Sequence, residues 1–326
     1  MCCYHHFTQE ERESILVLKA EKKSIRRIAV ELCRSPSSIS RELKRGYSGC
    51  VKYGYSPQAA HRQYQKNREN CHRVEKLKDP QVLQTVERLL EKYWSPEQIS
   101  NRLKREKHKV QISCSSIYRG ISKQLISKEK KKFLRHKGRH VIGIEGKKRC
   151  GHIHPEYSIH DRPQKVEKRS EIGHWESDSV LGSKSRACVA THVERKSRYT
   201  VLLKLERRGH SETYMQATKQ AFDAMPPHLR RSFNVDHGKE FAAYRWLMKE
   251  LDCIVYFADP YCPNQRATNE NTNGLLRQFI PRRTDIAPVS QQALDSFAYL
   301  LNTRPRKCLG WKTPLEVFSK KLLHLT

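Results

Sequence analysis

The chain has 326 residues and carries 64 Lys and Arg against 34 Asp and Glu, a formal net charge of +30. That length supports one large domain or two to three modest ones, each with its own core. The charge excess points to a polyanionic partner, nucleic acid first, because clustered cations gain affinity by releasing phosphate counterions. A basic ribosome-associated or membrane-surface protein is the plainer alternative. The sequence has no run of about 20 apolar residues to cross a bilayer. The start MCCYHHFTQEERES lacks an apolar signal core, so a cytoplasmic protein is expected. The eleven cysteines form no CxxC pair and suit neither a disulfide framework nor a zinc finger, so they read as reduced thiols. Two clusters, Cys2–Cys3–His5–His6 and Cys150–His152–His154, lack structural-site spacing and are expected to bind metal only adventitiously.

In chain order, the first predicted element is a helix capped by Thr8, with Glu11 completing a capping box and Ile15 and Leu18 on its apolar side. SIRRIAVEL follows with Ile25, Ile28 and Leu32 at helical spacing. In SPSSISRELKRG, Ser35 is the expected cap, Pro36 the first helical residue and Gly46 the stop. Ile39 and Leu43 face inward, leaving Ser37, Ser38, Ser40, Arg41, Lys44 and Arg45 outside. A short helix, a turn and a second helix with a Ser/Arg/Lys face suit a helix-turn-helix whose second helix enters the major groove. A three-helix bundle with a solvated charged face is the structural alternative; the whole-chain charge favours DNA binding. These elements place a helix-turn-helix domain over 1–46 and a linker over 47–78. A second helical module is expected over 79–125, from WSPEQISNRLK, capped by Ser95 with Gln98 in a capping box, and ISCSSIYRGI. It reads equally as a weaker helix-turn-helix or as a purely structural unit. Residues 126–165 read as a basic linker that tracks phosphates, since KEKKKFLRHKGRHVIGIEGKKRC carries ten Lys and Arg against Glu129 and Glu145.

From about Val166 the texture changes, and 166–322 reads as one α/β layered domain. Three strands are predicted in GHWESDSVLG, RACVATHVERKS and RYTVLLKLERR. The alternation of Ala187, Val189, Thr191 and Val193 predicts a half-buried antiparallel strand. A helix over Ser211–Ala224, a strand in SFNVDHG, a helix over Phe241–Leu251 and a strand in CIVYFA follow. TNENTNGLLRQF then opens a further helix.

Three acids in this region sit oddly. Asp178 interrupts an apolar strand, where a charge is costly unless paired or metal-bound. Asp236 ends a strand before Gly238, and Glu270 opens a helix. Brought together they make an all-oxygen site for Mg²⁺ or Mn²⁺. Two ions about 3.5–4 Å apart can activate a hydroxyl and stabilise the leaving oxygen of a phosphodiester. Taken singly, each acid has a structural reading: Asp178 paired in the core, Asp236 forming a turn, Glu270 favoured by the helix dipole.

Together the motifs resemble the insertion sequence 30 family of bacterial DDE transposases over nearly the whole chain. FTQEERESI…SIRRIAVELCRSPSSISRELKRG is similar to its N-terminal helix-turn-helix, and WSPEQIS and SSIYRGI to its next helical module. DRPQKVEKRSEIGHWESDSVLG, ERKSRYT, VDHGKEFA, YFADPYCPNQRATNENTNGLLRQFIPRRTD and LNTRPRKCLGWKTPLEVF resemble its integrase-like core in order. The resemblance implies a multidomain protein: an all-α helix-turn-helix region followed by an α/β RNase H-like integrase catalytic core with a mixed five-stranded sheet. It implies a nucleoid-associated bacterial enzyme that works by two-metal phosphoryl transfer, with the acids on Asp178, Asp236 and Glu270 and two Mg²⁺ or Mn²⁺ ions as cofactor. The 33 residues between Asp236 and Glu270 match the family interval. Glu176, on the same strand face as Asp178, is the alternative acid. The chain departs from the family at Ser177, His237 and Ala267, where glycine, asparagine and glycine are usual.

The reaction so implied frees a 3′-hydroxyl at the element end, which then attacks target DNA; the partners are these two duplexes. Synapsis of two ends implies a dimer or higher oligomer on DNA. Asn273 and Arg277 share the helix side of Glu270 and are expected, with Lys239 and Arg266, as DNA contacts. Leu275, Leu276 and Phe279 are expected to pack on the sheet. The basic C-terminal loop with Arg304, Arg306, Lys307 and Lys312 is expected to cap the core and touch DNA. The rival reading is a non-catalytic DNA-binding regulator derived from a decayed transposase; a nuclease without a joining step is a third.

Overall fold

The computed structural model describes residues 5–47, 54–70, 75–135, 153, 155–182 and 185–323. It divides into two compact units, Met1–Glu75 and Lys76–Thr326. Cys2, Cys3, Cys150, His152 and His154 of the two Cys/His clusters lie outside the described residues, as do residues 136–152 and 154 of the predicted basic linker. Among the described residues no helix is long and apolar enough to cross a membrane.

The first unit is built from α1 (Gln9–Ala20), α2 (Ile25–Glu31), α3 (Pro36–Arg45) and α4 (Pro57–Asn70). The predicted capping box forms, with Glu11 N–H donating to Thr8 Oγ1 at 3.1 Å and Thr8 N–H to Glu11 Oε2 at 2.8 Å. Ser35 caps α3, which starts at Pro36. Ile15, Ile28, Ala29, Ile39, Tyr55 and Ala60 form the core. The segment expected as a linker thus carries a fourth helix, and Tyr55 and Ala60 from it complete the head. Gly46 is required by that closure rather than by a left-handed turn: a Cβ there would meet the Tyr55 ring at 2.4 Å. The centre of this unit is an ion pair, Arg12 Nε to Glu42 Oε1 at 2.7 Å, with the two side chains 1% and 0% exposed.

The second unit opens with α5 (Pro80–Glu91), α6 (Pro96–Arg105) and α7 (Cys114–Ser122). These close on Val86, Leu90, Ile99, Leu103 and Ile117, and Ser95 and Gln98 form the predicted capping box. The chain continues through α8 (Gln164–Glu167), β1 (His174–Leu181), β2 (Cys188–Glu194), β3 (Thr200–Leu205), α9 (Ser211–Phe222), β4 (Ser232–Val235), α10 (Tyr244–Leu251) and β5 (Ile254–Phe257). It ends with α11 (Ala267–Leu276), α12 (Gln291–Asn302) and α13 (Pro314–Leu323). The strands make one mixed five-stranded sheet in the order β3-β2-β1-β4-β5. The β3-β2-β1 part is antiparallel, and β4 and β5 continue parallel to β1. The half-buried β2 read from alternation is corrected: all seven of its residues are buried. On one face Tyr214 and Phe222 of α9 pack with Trp175 and Phe233 of the sheet, and on the other Leu276, Ile280 and Leu294 cover it. Covering both faces of a central strand removes the solvent side that alternation presupposes.

The helical module is fastened to the core. Arg102 Nη1 donates to Glu316 Oε2 at 2.9 Å and to the Trp311 carbonyl at 3.0 Å. Gln278 Nε2 donates to the Phe133 carbonyl at 2.8 Å, and the Tyr93 ring meets Phe279 edge-on at 4.8 Å. The start of the expected basic linker therefore lies against the segment that follows α11. Arg102 holds the Glu316 carboxyl at about 2, below the ordinary carboxylate range. A depressed acid contributes its stability above its unfolded value and loses it as pH falls toward the folded one. A double-mutant cycle on Arg102→Ala and Glu316→Ala should return a coupling of about 0.5–1 kcal/mol at pH 7, as for a half-exposed pair, that fades between pH 4.5 and 2. A coupling unchanged across that window, measured by urea unfolding, would remove the pair as the fastening.

Candidate active site

Asp178 sits on β1 and is 7% exposed. The parallel pairing of β1 with β4 sets Glu176 opposite Asn234, and two residues further along each strand bring Asp236 beside Asp178. Asp236 Oδ1 accepts the Gly238 N–H at 2.9 Å and so closes the predicted turn. A Cβ on Gly238 would stand 2.7 Å from Glu240 Oε2 and 2.9 Å from Asp236 Oδ1, so both carboxylates close on this turn. Glu240 is thus a fourth acid at this place, with its Oε1 accepting Ser179 Oγ–H at 2.6 Å. Its only sequence signal was position, four residues after Asp236.

Arg266 joins the two aspartates. Its Nη2 donates to Asp236 Oδ2 at 2.7 Å, and its Nη1 lies 3.6 Å from Asp178 Oδ1 and donates to the Ser177 carbonyl at 3.2 Å. Burial opposes the guanidinium charge, but Asp178, Asp236 and Glu270 act on it together and carry its pKa above the ordinary value. The expectation of Arg266 as a DNA contact meets a different placement: the residue is 7% exposed and turned inward to the acids. Glu270 is exposed on α11 and is electrically coupled to this cluster through Arg266. Among the described residues no three His, Cys, Asp or Glu side chains are grouped as a ready-made metal centre. Two acids are therefore assembled around a guanidinium, with the third at the rim.

The helix carrying Glu270 is pinned by its neighbour. Asn269 is fully buried; its N–H donates to Glu176 Oε2 at 2.9 Å and its Nδ2 to the Glu176 and Thr191 carbonyls at 2.8 and 3.0 Å. Glu176, the alternative acid of the sequence, is 0% exposed, and its other oxygen takes Arg195 Nη1 at 2.6 Å. Its oxygens are committed to holding α11 on the sheet. Asn269 was missed as a structural residue, because an amide in TNENTN looks like its neighbours. Leu275 and Leu276 are buried against the sheet, as expected, and Phe279 stacks on Phe297 at 4.9 Å.

Asn273 Nδ2 donates to Asp178 Oδ2 at 3.1 Å, while its Oδ1 is buried without a hydrogen-bond partner. Arg277 donates to the Leu181 carbonyl at 3.1 Å and is half-buried, which lowers its pKa. Lys239 is exposed. Two carboxylates already gathered around a cation, with an unpartnered amide oxygen beside them, are a donor set of hard oxygens that fits Mg²⁺ or Mn²⁺. Of the family departures, Ser177 hydrogen-bonds His192 Nδ1 at 2.8 Å in the core, where burial holds His192 down at about 3. His237 lays its ring against Phe257 at 5.4 Å, and Ala267 is exposed at the start of α11.

On the head, Ser37, Arg41 and Lys44 are exposed along α3, and Ser40 is partly so. Two of the expected contacts are engaged internally. Arg45 pairs with the buried Glu42, and the Ser38 hydroxyl hydrogen-bonds the Ser35 hydroxyl at 2.9 Å. A charged side chain near a buried opposite charge turns inward, and helical spacing alone does not show that. In the C-terminal loop Arg304 and Arg306 are likewise buried, 3% and 9% exposed, rather than displayed.

Comparisons with known proteins agree with this division. A helix-turn-helix domain model matches residues 3–46 and an integrase core domain model residues 168–263. The transposase InsI of insertion sequence element IS30C of Escherichia coli (strain K12) is 38% identical over 97% of this chain and 84% of its own length. The transposase of insertion sequence element IS1086 of Cupriavidus metallidurans is 36% identical over 99% and 97%. That of IS4351 of Bacteroides fragilis is 32% identical over 97% and 96%. With a helix-turn-helix head, a mixed-sheet integrase core and relatives matched nearly end to end, the chain belongs to the insertion sequence 30 family of transposases, enzymes of DNA transposition and recombination.

Proposed function

We propose that this transposase binds the terminal inverted repeats of its element and cuts and joins DNA strands at Asp178, Asp236 and Glu270, with Mg²⁺ or Mn²⁺, two ions, as a dimer or higher assembly on DNA. The observation that carries the reading is the pairing of Asp178 and Asp236 around one buried cation at the foot of the helix that bears Glu270. The two aspartates would hold the first ion and Glu270 would complete the second. Hard divalent ions there supply activation of the attacking hydroxyl and neutralisation of the leaving oxygen. Asn273, anchored to Asp178, keeps its amide oxygen free to orient a hydroxyl or water. Arg266 holds the aspartates together until the site is loaded. Exposed Ser37, Arg41 and Lys44 would read the duplex through the head, and Lys239 would meet the phosphate backbone.

Supercoiled DNA carrying an element end, incubated with Mg²⁺, tests this. Wild-type protein should nick it, and Asp236→Asn should lower nicking at least about 100-fold, as for loss of an essential metal ligand. Nicking that survives the substitution would move the chemistry elsewhere, and no nicking by wild type would leave the decayed, DNA-binding regulator.

A further inference from the structure

On the face of α11 turned away from Glu270 lies a cavity of about 190 Å³ that the proposed chemistry does not use. Arg169, Arg198 and Arg306 converge on it, with Thr268 and Asn271 at its floor. Among the described residues that line it, none is acidic. Thr268 Oγ1 accepts from Arg198 Nη1 at 2.6 Å and from Arg169 Nη2 at 3.2 Å, so two cations share one neutral hydroxyl. Arg306 is 9% exposed and its Nε has no partner; its Nη2 reaches only the Leu301 carbonyl, at 3.4 Å. Burial lowers the Arg306 pKa to about 10, and Arg198 adds repulsion. Buried charge without a counter-charge is unfavourable unless something completes it.

We propose that this cavity is a phosphate subsite, and that it takes a phosphodiester of bound DNA other than the one being cut. Guanidinium forks match phosphate oxygens in pairs, and the three arginines line, with neutral side chains, a cavity with ample room for a phosphate group. The position against the first turn of α11 places the held strand on the opposite side of that helix from Glu270, so that gripping the backbone also steadies the helix. The inference rests on the reading of this chain as a DNA-cutting enzyme, but its test does not involve cutting.

The test is equilibrium binding of full-length protein to an element-end duplex and to an unrelated duplex, in EDTA, across a salt series. Arg169→Gln with Arg198→Gln should weaken both duplexes by the same factor and lower the slope of log affinity on log salt by about one. Inorganic phosphate, without DNA, should raise the melting temperature of wild type and not of this variant. Arg169→Lys with Arg198→Lys, which keeps the charges, should restore most of the slope; if it does not, the arginines serve packing and the proposal fails. An unchanged slope in the glutamine variant together with a phosphate-dependent melting shift in wild type would mean a free-phosphate site, and would also overturn it. Because metal is absent throughout, failure here leaves the nicking result of Asp236→Asn untouched.

Discussion

Arg266→Gln is expected to cost about 3–5 kcal/mol of stability in metal-free buffer, because it leaves two neighbouring carboxylates, one 10% and one 27% exposed at the side chain, without their shared cation. The same substitution should enlarge the stabilisation by divalent ions. In wild type an entering ion must displace the guanidinium from Asp236; in the variant it meets unopposed acids, so its binding is linked more strongly to folding. Thermal unfolding with EDTA and with Mn²⁺ checks both halves. Equal Mn²⁺ shifts in wild type and variant would mean that Arg266 does not occupy the ion's place.

Glu42→Ala carries the second large effect. It leaves Arg12, 1% exposed, without the carboxylate it pairs with in the core of the head, and a broken buried pair typically costs about 3–5 kcal/mol. Since a small helical unit has little stability to spare, the head should lose hydrogen-exchange protection over α1 and α3 and the protein its affinity for element-end duplex. The sheet of the second unit should keep its protection. Retained protection in the head would show that the Phe7 carbonyl and His61 suffice to hold Arg12 in place.

These two arginines also mark where the sequence stopped being legible. Helix starts were readable because Thr8, Ser35 and Ser95 act on groups three residues away, and strand and helix order was readable from periodicity. Asp178 announced itself as a charge inside an apolar strand. What could not be read was the pairing of charges across long separations: Arg12 with Glu42, Arg195 with Glu176, Arg266 with Asp178 and Asp236. A buried arginine and a displayed one look alike in sequence, so Arg45, Arg266, Arg304 and Arg306 were all expected outside. Asn269 and Asn273 look alike too, yet one is sunk into the sheet and the other leans on Asp178. The fourth helix escaped because a charged, weakly periodic stretch resembles a linker, whereas two small or aromatic anchors, Tyr55 and Ala60, fix it to the head.

Asp178, Asp236 and Glu270 are proposed to act as one unit although the fold pre-assembles only the first two. Side chains that work together show losses that do not add. The most direct measurement is therefore the rate of element-end cleavage by Asp178→Asn, Asp236→Asn, Glu270→Gln and the triple variant, with duplex binding in EDTA measured alongside. The same loss, at least about 100-fold, is expected from each single substitution and from the triple, with binding unchanged. Cleavage by Glu270→Gln within a few-fold of wild type would contradict it and leave the pair around Arg266 without its third acid.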